Sequence, residues 1–433
     1  MRETNKLLTV ALAALTAFSS VSAQESQGDG SSYEKFRVGG YGEMVANFKN
    51  YGINRYYGAA EGNSQTRRNT ISIPRFVLAF DYKFTPKWIL GAEIEFESGG
   101  TGTAYELENS ENGEYEMEVE KGGEVALEQF HITRLILPEI NMRVGHVVLP
   151  VGLTNAHHEP VNFFGTSRPE GETRIIPSTW HETGLELFGT LGKGLATFDY
   201  QAMVVAGLNG NAFNRTHWAG EAKASIFEED NFTSPAYVAR VDYRGVPGLR
   251  VGASWYFCND VGANSDIPEY NKSIGKTPVR IYTVDAQYSD RYLTFRGNCI
   301  FGNLGNSARL TRENQNYKGT SPYSRTVPVA KRAVSYGAEL GLNLQGIFGT
   351  PKCPVIYPFA RYEYYNPQEE VVKPNVAFPR EKVSAWTAGL NWKALPNLVV
   401  KADYTTRKID GGNLNDENEF AIGVAYVGWF WSK

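Results

Sequence analysis

This sequence predicts an all-β fold, a transmembrane antiparallel β-barrel of about sixteen strands. Three observations predict it. Segments of about ten residues alternate apolar and polar side chains from residue 36 to residue 430, the period of a strand with two unlike faces. The connections between them are tight and long by turns, so one end of the sheet carries all the tight turns. After the first two dozen residues no apolar run approaches the ~20 residues of a membrane helix, yet Tyr (25), Phe (23) and Gly (44) are abundant.

The alternating segments lie near 36–47, 70–83, 87–97, 124–135, 140–147, 180–190, 196–206, 236–244, 249–258, 279–288, 291–301, 332–345, 355–365, 383–393, 397–407 and 418–430. Pro, Gly or Asp marks the tight turns, as in Leu137-Pro-Glu-Ile140, Gly245-Val-Pro-Gly248 and Ala394-Leu-Pro-Asn397. The turn from Gly346 to Pro354 is longer than its siblings. The long links are 48–69, 98–123, 148–179, 207–235, 259–278, 302–331, 366–382 and 408–417.

Each strand sets an apolar face against a charged one. Leu90, Ala92, Ile94 and Phe96 oppose Glu93, Glu95 and Glu97; Tyr237, Ala239 and Val241 oppose Arg240 and Asp242. A soluble sandwich would bury the apolar face between two sheets, and a membrane barrel turns it to lipid. Loop asymmetry and the aromatics at strand ends (Phe84 and Trp88, Trp255-Tyr256-Phe257, Trp429-Phe430-Trp431) favour the barrel. A barrel this wide cannot be filled by wall side chains, so its polar face is expected to line water.

Residues 1–23 read as a secretory signal: Arg2 and Lys6, an apolar core from Leu7 to Phe18, and Val21-Ser22-Ala23 before Gln24. A polar linker occupies 24–33, and the barrel is expected to take up 34–433. Without the signal the net charge is about −5, which gives no nucleic-acid footprint. Cys258, Cys299 and Cys353 are odd in number and widely spaced, neither a disulfide framework nor a zinc pattern.

The stretch 141–191 organises the chain. Roughly thirty residues without regular period separate two alternating segments, and they are charged and aromatic together. Arg143-Val-Gly-His-Val-Val-Leu-Pro-Val-Gly-Leu153 is similar to a porin strand ending in Gly-x-x-x-x-Pro-Phe-Gly before an inward loop. Glu182-Thr-Gly-Leu-Glu-Leu-Phe-Gly189, with Tyr200 and Gly207-Leu-Asn-Gly210, resembles the strand–turn–strand that follows such a loop. On these residues the chain resembles bacterial outer-membrane porins, and more narrowly the phosphate-selective porin O and P family. The resemblance implies a sixteen-stranded homotrimeric barrel in the bacterial cell outer membrane, among lipid and lipopolysaccharide, passing small hydrophilic solutes by diffusion. Family members named for phosphate carry pore clusters of Arg and Lys. Here the third loop mixes Arg168 and Arg174 with Glu159, Glu170 and Glu172.

The loop 148–179 is expected to fold inward and set the constriction through His157, His158, Arg168, Glu170, Glu172 and Arg174. By parity the pore wall carries Glu93, Glu95, Glu97, Arg143, Glu182, Glu186, Arg240, Arg296, Glu339 and Arg361, joined by Glu363 and Lys401. Such charges bias passing ions, or pair across strands and keep the lumen wetted. His157-His158-Glu159 lacks a third imidazole and reads as a polar turn before Pro160, so no metal is expected there. The acids of 98–123 suggest a hairpin turned at Asn112-Gly113, its glutamates a solvated face more readily than a calcium site. His131 and His181 lie in strands without a Ser–acid pair that sequence identifies, so no enzyme and no cofactor is expected. A passive channel is the leading expectation. A solute-specific channel for an anion, sugar or peptide, with Phe163, Phe164 and Tyr365 as a track, and a plugged structural or adhesive barrel are the alternatives.

Overall fold

The computed structural model describes residues 34–51, 66–100, 103–109, 115–121, 123–223, 230–265, 275–316, 327–350, 353–410 and 416–433; the expected signal at 1–23 and linker at 24–33 lie outside them. Its strands are β1 (Phe36–Tyr51), β2 (Thr66–Thr85), β3 (Trp88–Glu97), β4 (Thr103–Asn109), β5 (Tyr115–Lys121), β6 (Glu124–Leu137), β7 (Ile140–Val148), β8 (His181–Leu191) and β9 (Phe198–Val205). β10 (Ala236–Tyr243), β11 (Leu249–Cys258), β12 (Val279–Ser289), β13 (Leu293–Leu304), β14 (Arg332–Leu342), β15 (Val355–Glu370), β16 (Val383–Leu395), β17 (Leu398–Ile409) and β18 (Glu417–Ser432) follow. Short helices α1 (Leu153–Ala156), α2 (Glu170–Thr173), α3 (Ser307–Asn316) and α4 (Leu344–Phe348) lie in the connections.

Sixteen of the strands close into one antiparallel barrel, each paired with its chain neighbours except where β3 meets β6. That exception arises because β4 and β5 form a separate hairpin, which pairs Thr103 with Lys121 and Asn109 with Tyr115. The hairpin expected in 98–123 is therefore present, although the turn at Asn112-Gly113 lies outside the described residues. The ring closes where β1 pairs with β18, and Phe36 and Lys433 exchange backbone hydrogen bonds of 2.9 Å. Both ends of the described chain thus sit at the end that carries the tight turns.

All sixteen expected barrel strands occur, with their ends moved by a few residues. The segment at 355–365 runs on to Glu370, and that at 332–345 is cut short: the strand stops at Leu342 and the chain winds into α4. Gly349 ends that turn in the left-handed region (φ 70°), which a side chain would resist, so Leu344 and Gln345 are turn residues rather than wall residues.

The faces are sorted opposite to a soluble protein. On β10, Tyr237 and Val241 are exposed while Arg240 and Asp242 are buried; on β6, Phe130 and Ile132 are exposed while His131 and Thr133 are buried. The apolar face points away from the barrel interior and the charged face points in. A sandwich would bury the apolar face, so this arrangement excludes it.

Of the register shifts in the ladders, two fall beside the site. The β1–β2 ladder steps from Glu43↔Arg75 to Val45↔Ser72, around Pro74, which has no N–H to give. The β3–β6 ladder steps from Glu93↔Gln129 to Ile94↔Leu127, which leaves Glu128 as an extra residue in a bulge.

Inside the long-loop end, apolar residues of several connections form one cluster. Leu149, Ile176, Trp180, Phe213, Trp218 and Leu310 pack there with inward residues of the strand ends, Tyr256, Ile281 and Ile300 among them. Tyr256, expected in an outer aromatic girdle, faces in; its neighbours Trp255 and Phe257 are stacked with ring centroids 5.8 Å apart.

Candidate functional site: the β7–β8 segment against the barrel wall

The segment between β7 and β8 is held by its own backbone and by distant strands. Glu172 on α2 is buried and accepts from the backbone N–H groups of Leu153 (3.1 Å), Thr154 (3.0 Å) and Asn155 (2.5 Å), and from Asn298 Nδ2 on β13 (2.7 Å). One carboxylate thereby satisfies the free N–H groups opening α1 and ties both helices to the wall. Asn155 in turn donates to Leu149 O (2.7 Å) and accepts from Trp180 N (2.5 Å), joining the two ends of the segment.

Strands β15 to β17 hold the middle. Lys401 Nζ donates to the carbonyls of Pro160, Phe163 (2.8 Å) and Gly165 (2.7 Å) and lies 4.2 Å from the centroid of the Phe163 ring. Asp403 accepts from Thr166 N (2.6 Å), Asn391 donates to Phe164 O (3.1 Å), and Arg361 donates to Ser167 O (3.2 Å). Glu363 accepts from Gly171 N (3.0 Å). Glu170 accepts from Arg407 Nε (2.6 Å) and from the Tyr365 hydroxyl (2.9 Å). These partners are 192 to 241 residues away in the chain.

Two wall glycines let aromatic rings lie flat against the strands. A Cβ at Gly341 would run into Phe164, which packs on Tyr357 and Phe359, and one at Gly302 would run into Trp218. Gly341→Leu should therefore displace Phe164 at a cost of about 1–3 kcal/mol. A lowered denaturant midpoint for that variant, with Gly297→Ala as the comparison, checks this.

His157 and His158 turn to different walls. His157 Nδ1 donates to Leu153 O (3.1 Å), and its Nε2 accepts from Arg250 (2.8 Å). Burial and the Arg250, Arg296 and Arg240 charges hold its pKa well below the usual imidazole range, consistent with that neutral tautomer. His158 faces Glu128 on β6 at 3.3 Å. Arg174 meets His217, which pairs with Glu221 at 2.6 Å.

Burial pushes the Glu172 carboxyl up to about 7, against the pull of the backbone donors that favour its anion. A folded-state pKa above the ordinary 4.5 means that the folded chain binds a proton that the unfolded chain has released. This group's contribution is present below the unfolded value and is lost as pH rises through about 7. Between pH 5 and 8 the melting temperature should fall more steeply for the native chain than for Glu172→Gln, which cannot titrate.

Most expected wall charges are paired. Arg240 makes bonds of 2.7–2.9 Å to Asp242 and Asp285, and Arg250 adds two of 2.9 and 3.1 Å to Asp242. Arg143 pairs with Glu186 (2.9 Å), Arg296 with Glu339 (3.5 Å) and Arg361 with Glu363 (3.0 Å). Glu182 accepts from Trp180 Nε1 (3.0 Å). Glu93 and Glu95 are buried; Glu97 is exposed. Of the histidines weighed for catalysis, His131 lies 3.4 Å from the Thr133 hydroxyl and His181 against His146.

One water-accessible cavity of about 270 Å³ lies between this segment and β1–β3. Glu43, Asn47, Arg75, Glu95 and Glu97 line it from the strands, and Thr166, Ser167, Arg168 and Thr179 from the segment. Arg168 donates to Ser178 Oγ (2.8 Å) and Thr179 Oγ1 (2.9 Å), which fixes its direction. Of the six loop residues expected at a constriction only Arg168 is here; Glu170, Glu172, Arg174, His157 and His158 are engaged elsewhere. Glu43 and Arg75, paired at 3.4 Å, were not singled out from sequence, although their alternation on 36–47 and 70–83 put them in reach.

No family model matches the chain. A protein of Aquifex aeolicus (strain VF5), described as uncharacterized, is 25% identical over 393 residues, covering 89% of this chain and 78% of that protein. Among solved structures, Salmonella typhi OmpF in complex with daunomycin superposes with a TM-score of 0.55 at 11% identity, covering 91% of this chain and 98% of that chain. The outer-membrane channel DcaP of Acinetobacter baumannii gives 0.53 at 12% identity, over 91% and 97%. The anion-selective porin from Comamonas acidovorans gives 0.51 at 10% identity, over 92% and 100%. At such identities these likenesses establish the closed barrel fold.

Proposed function

We propose that the protein is an outer-membrane porin: a water-filled channel for passive diffusion of small hydrophilic solutes, set in lipid and lipopolysaccharide and assembled as a homotrimer. The β7–β8 segment lies in the lumen and narrows the passage. The observation that carries this reading is the polar cavity between that segment and β1–β3, on a barrel whose outer face is apolar. Charge there is held in place by hydrogen bonds, so the passage discriminates by width and fixed charge, with no covalent step. Its lining mixes three acids with two bases, which is not the cluster of Arg and Lys that phosphate selectivity calls for. Proteoliposomes should swell in isosmotic small sugars at rates that fall steeply with sugar size. Equal rates for all sizes, or none above those of protein-free vesicles, would contradict the reading.

The apolar cluster at the long-loop end supports a second reading, a plugged barrel with a structural or adhesive role. That cluster lies along β9–β14, while β1–β3 present Glu43, Arg75, Glu95 and Glu97 to the cavity. The same swelling assay separates the two, since a plugged barrel passes no sugar.

A further inference from the structure

We infer that Glu93, Glu128 and His158 form a binding site for a divalent transition-metal cation, Zn²⁺ the best suited, which fastens the β7–β8 segment to the barrel wall. One ligand atom from each lies within 4.8 Å of the other two. All three residues are at least nine-tenths buried, Glu128 completely. Among the described residues Glu93 Oε2, Glu128 Oε1 and His158 Nε2 have no hydrogen-bond partner, and buried polar atoms seldom stay so without a reason.

The surroundings prepare each ligand. His158 Nδ1 donates to Asn155 O (3.1 Å), which leaves Nε2 of the neutral ring as a bare acceptor 3.3 Å from Glu128 Oε1. Two buried acceptor atoms this close repel each other unless a metal ion or a proton lies between them. Tyr41 donates to the other oxygen of Glu128 (2.6 Å), orienting that carboxylate. The β6 bulge supplies Glu128 as an extra residue beside Gln129, the partner of Glu93. The neighbouring Arg75 is engaged with Glu43 and Glu95, at 3.4 and 3.7 Å, and donates to His158 O (3.3 Å).

One imidazole and two carboxylates suit a small, borderline-soft dication better than Ca²⁺ or Mg²⁺, which take oxygen ligands alone. The ion would neutralise two buried carboxylates and tie β3 and β6 to the segment through His158. The rival occupant is a proton on His158, which would pair with Glu128 and bind no metal.

The test uses the untagged full chain in detergent, stripped with EDTA, dialysed, and titrated with ZnCl₂ by calorimetry. Binding of one Zn²⁺ per chain, with a rise in melting temperature, is expected. Glu128→Gln and His158→Gln should each weaken binding by at least about tenfold, while His217→Ala on the outlying His–Glu pair leaves it unchanged. Absence of stoichiometric binding would overturn the proposal. So would binding that survives both substitutions, or that is lost with His217. Should Glu128→Gln fail to fold, the native chain and His158→Gln decide the matter alone.

Discussion

Replacing Lys401 with methionine should free the β7–β8 segment from the wall. The ammonium is buried and serves the carbonyls of Pro160, Phe163 and Gly165 together, with the Phe163 ring at its side. Hydrogen bonds to a charged group are worth ~1.5–3 kcal/mol each and are not additive. Methionine keeps the bulk but leaves three buried carbonyls without their donor, so the cost should be about 3–5 kcal/mol. Much of it falls on the segment, because β17 keeps its ladders to β16 and β18. In planar bilayers the variant should show larger, flickering steps, and trypsin should cut after Arg174, where the native chain resists. Steady native-sized steps together with native protease resistance would mean that the lysine does not hold the segment.

Arg168→Glu should produce the second large effect, on ion preference. The cavity sets Glu43, Glu95 and Glu97 against Arg75 and Arg168, acids and bases in near balance. The substitution changes the total by two units at the cavity lining, and a glutamate there can accept from the Ser178 and Thr179 hydroxyls, which now accept from Arg168. A unit charge ~8 Å from an ion in water is worth roughly 0.5 kcal/mol before screening. Cations and anions feel that swing in opposite senses, so the cation-to-anion permeability ratio should rise several-fold at 0.1 M salt. The reversal potential under a KCl gradient reads this directly. An unchanged potential would place the ion path elsewhere.

Much of the fold is legible in the chain because a barrel strand has two unlike faces, and a period of two records both. Strand and loop order follow from it, and so does the asymmetry of the two ends. The failures are local. At Leu340, Leu342 and Leu344 the alternation runs on past the sheet, and only Gly346 and Gly349 announce the turn that ends it. Strand 124–135 holds a subtler signal: outward residues fall at Val125 and Leu127, then at Phe130 and Ile132. That step of three around Glu128-Gln129 is the bulge written in sequence.

The site was less legible than the fold. Residue type and loop length single out 148–179, but which charges face water depends on partners more than 190 residues away. Glu170 reads as a constriction residue until Arg407 and Tyr365 are placed beside it. Glu172 does so until three N–H groups of its own segment close on it. Ser167 and Thr166, without charge, gave no sign that they border the cavity.

The proposed channel needs an open passage between β1–β3 and the segment, and Ser167→Trp probes it most directly. The indole would fill a large part of the 270 Å³ cavity, while the segment's bonds to Lys401, Asp403 and Glu363 stay in place. Single-channel recording in planar bilayers should show stable steps for the native chain, cut to half or less by this substitution. Native-sized steps from folded Ser167→Trp protein, or no steps from the folded native chain, would contradict it.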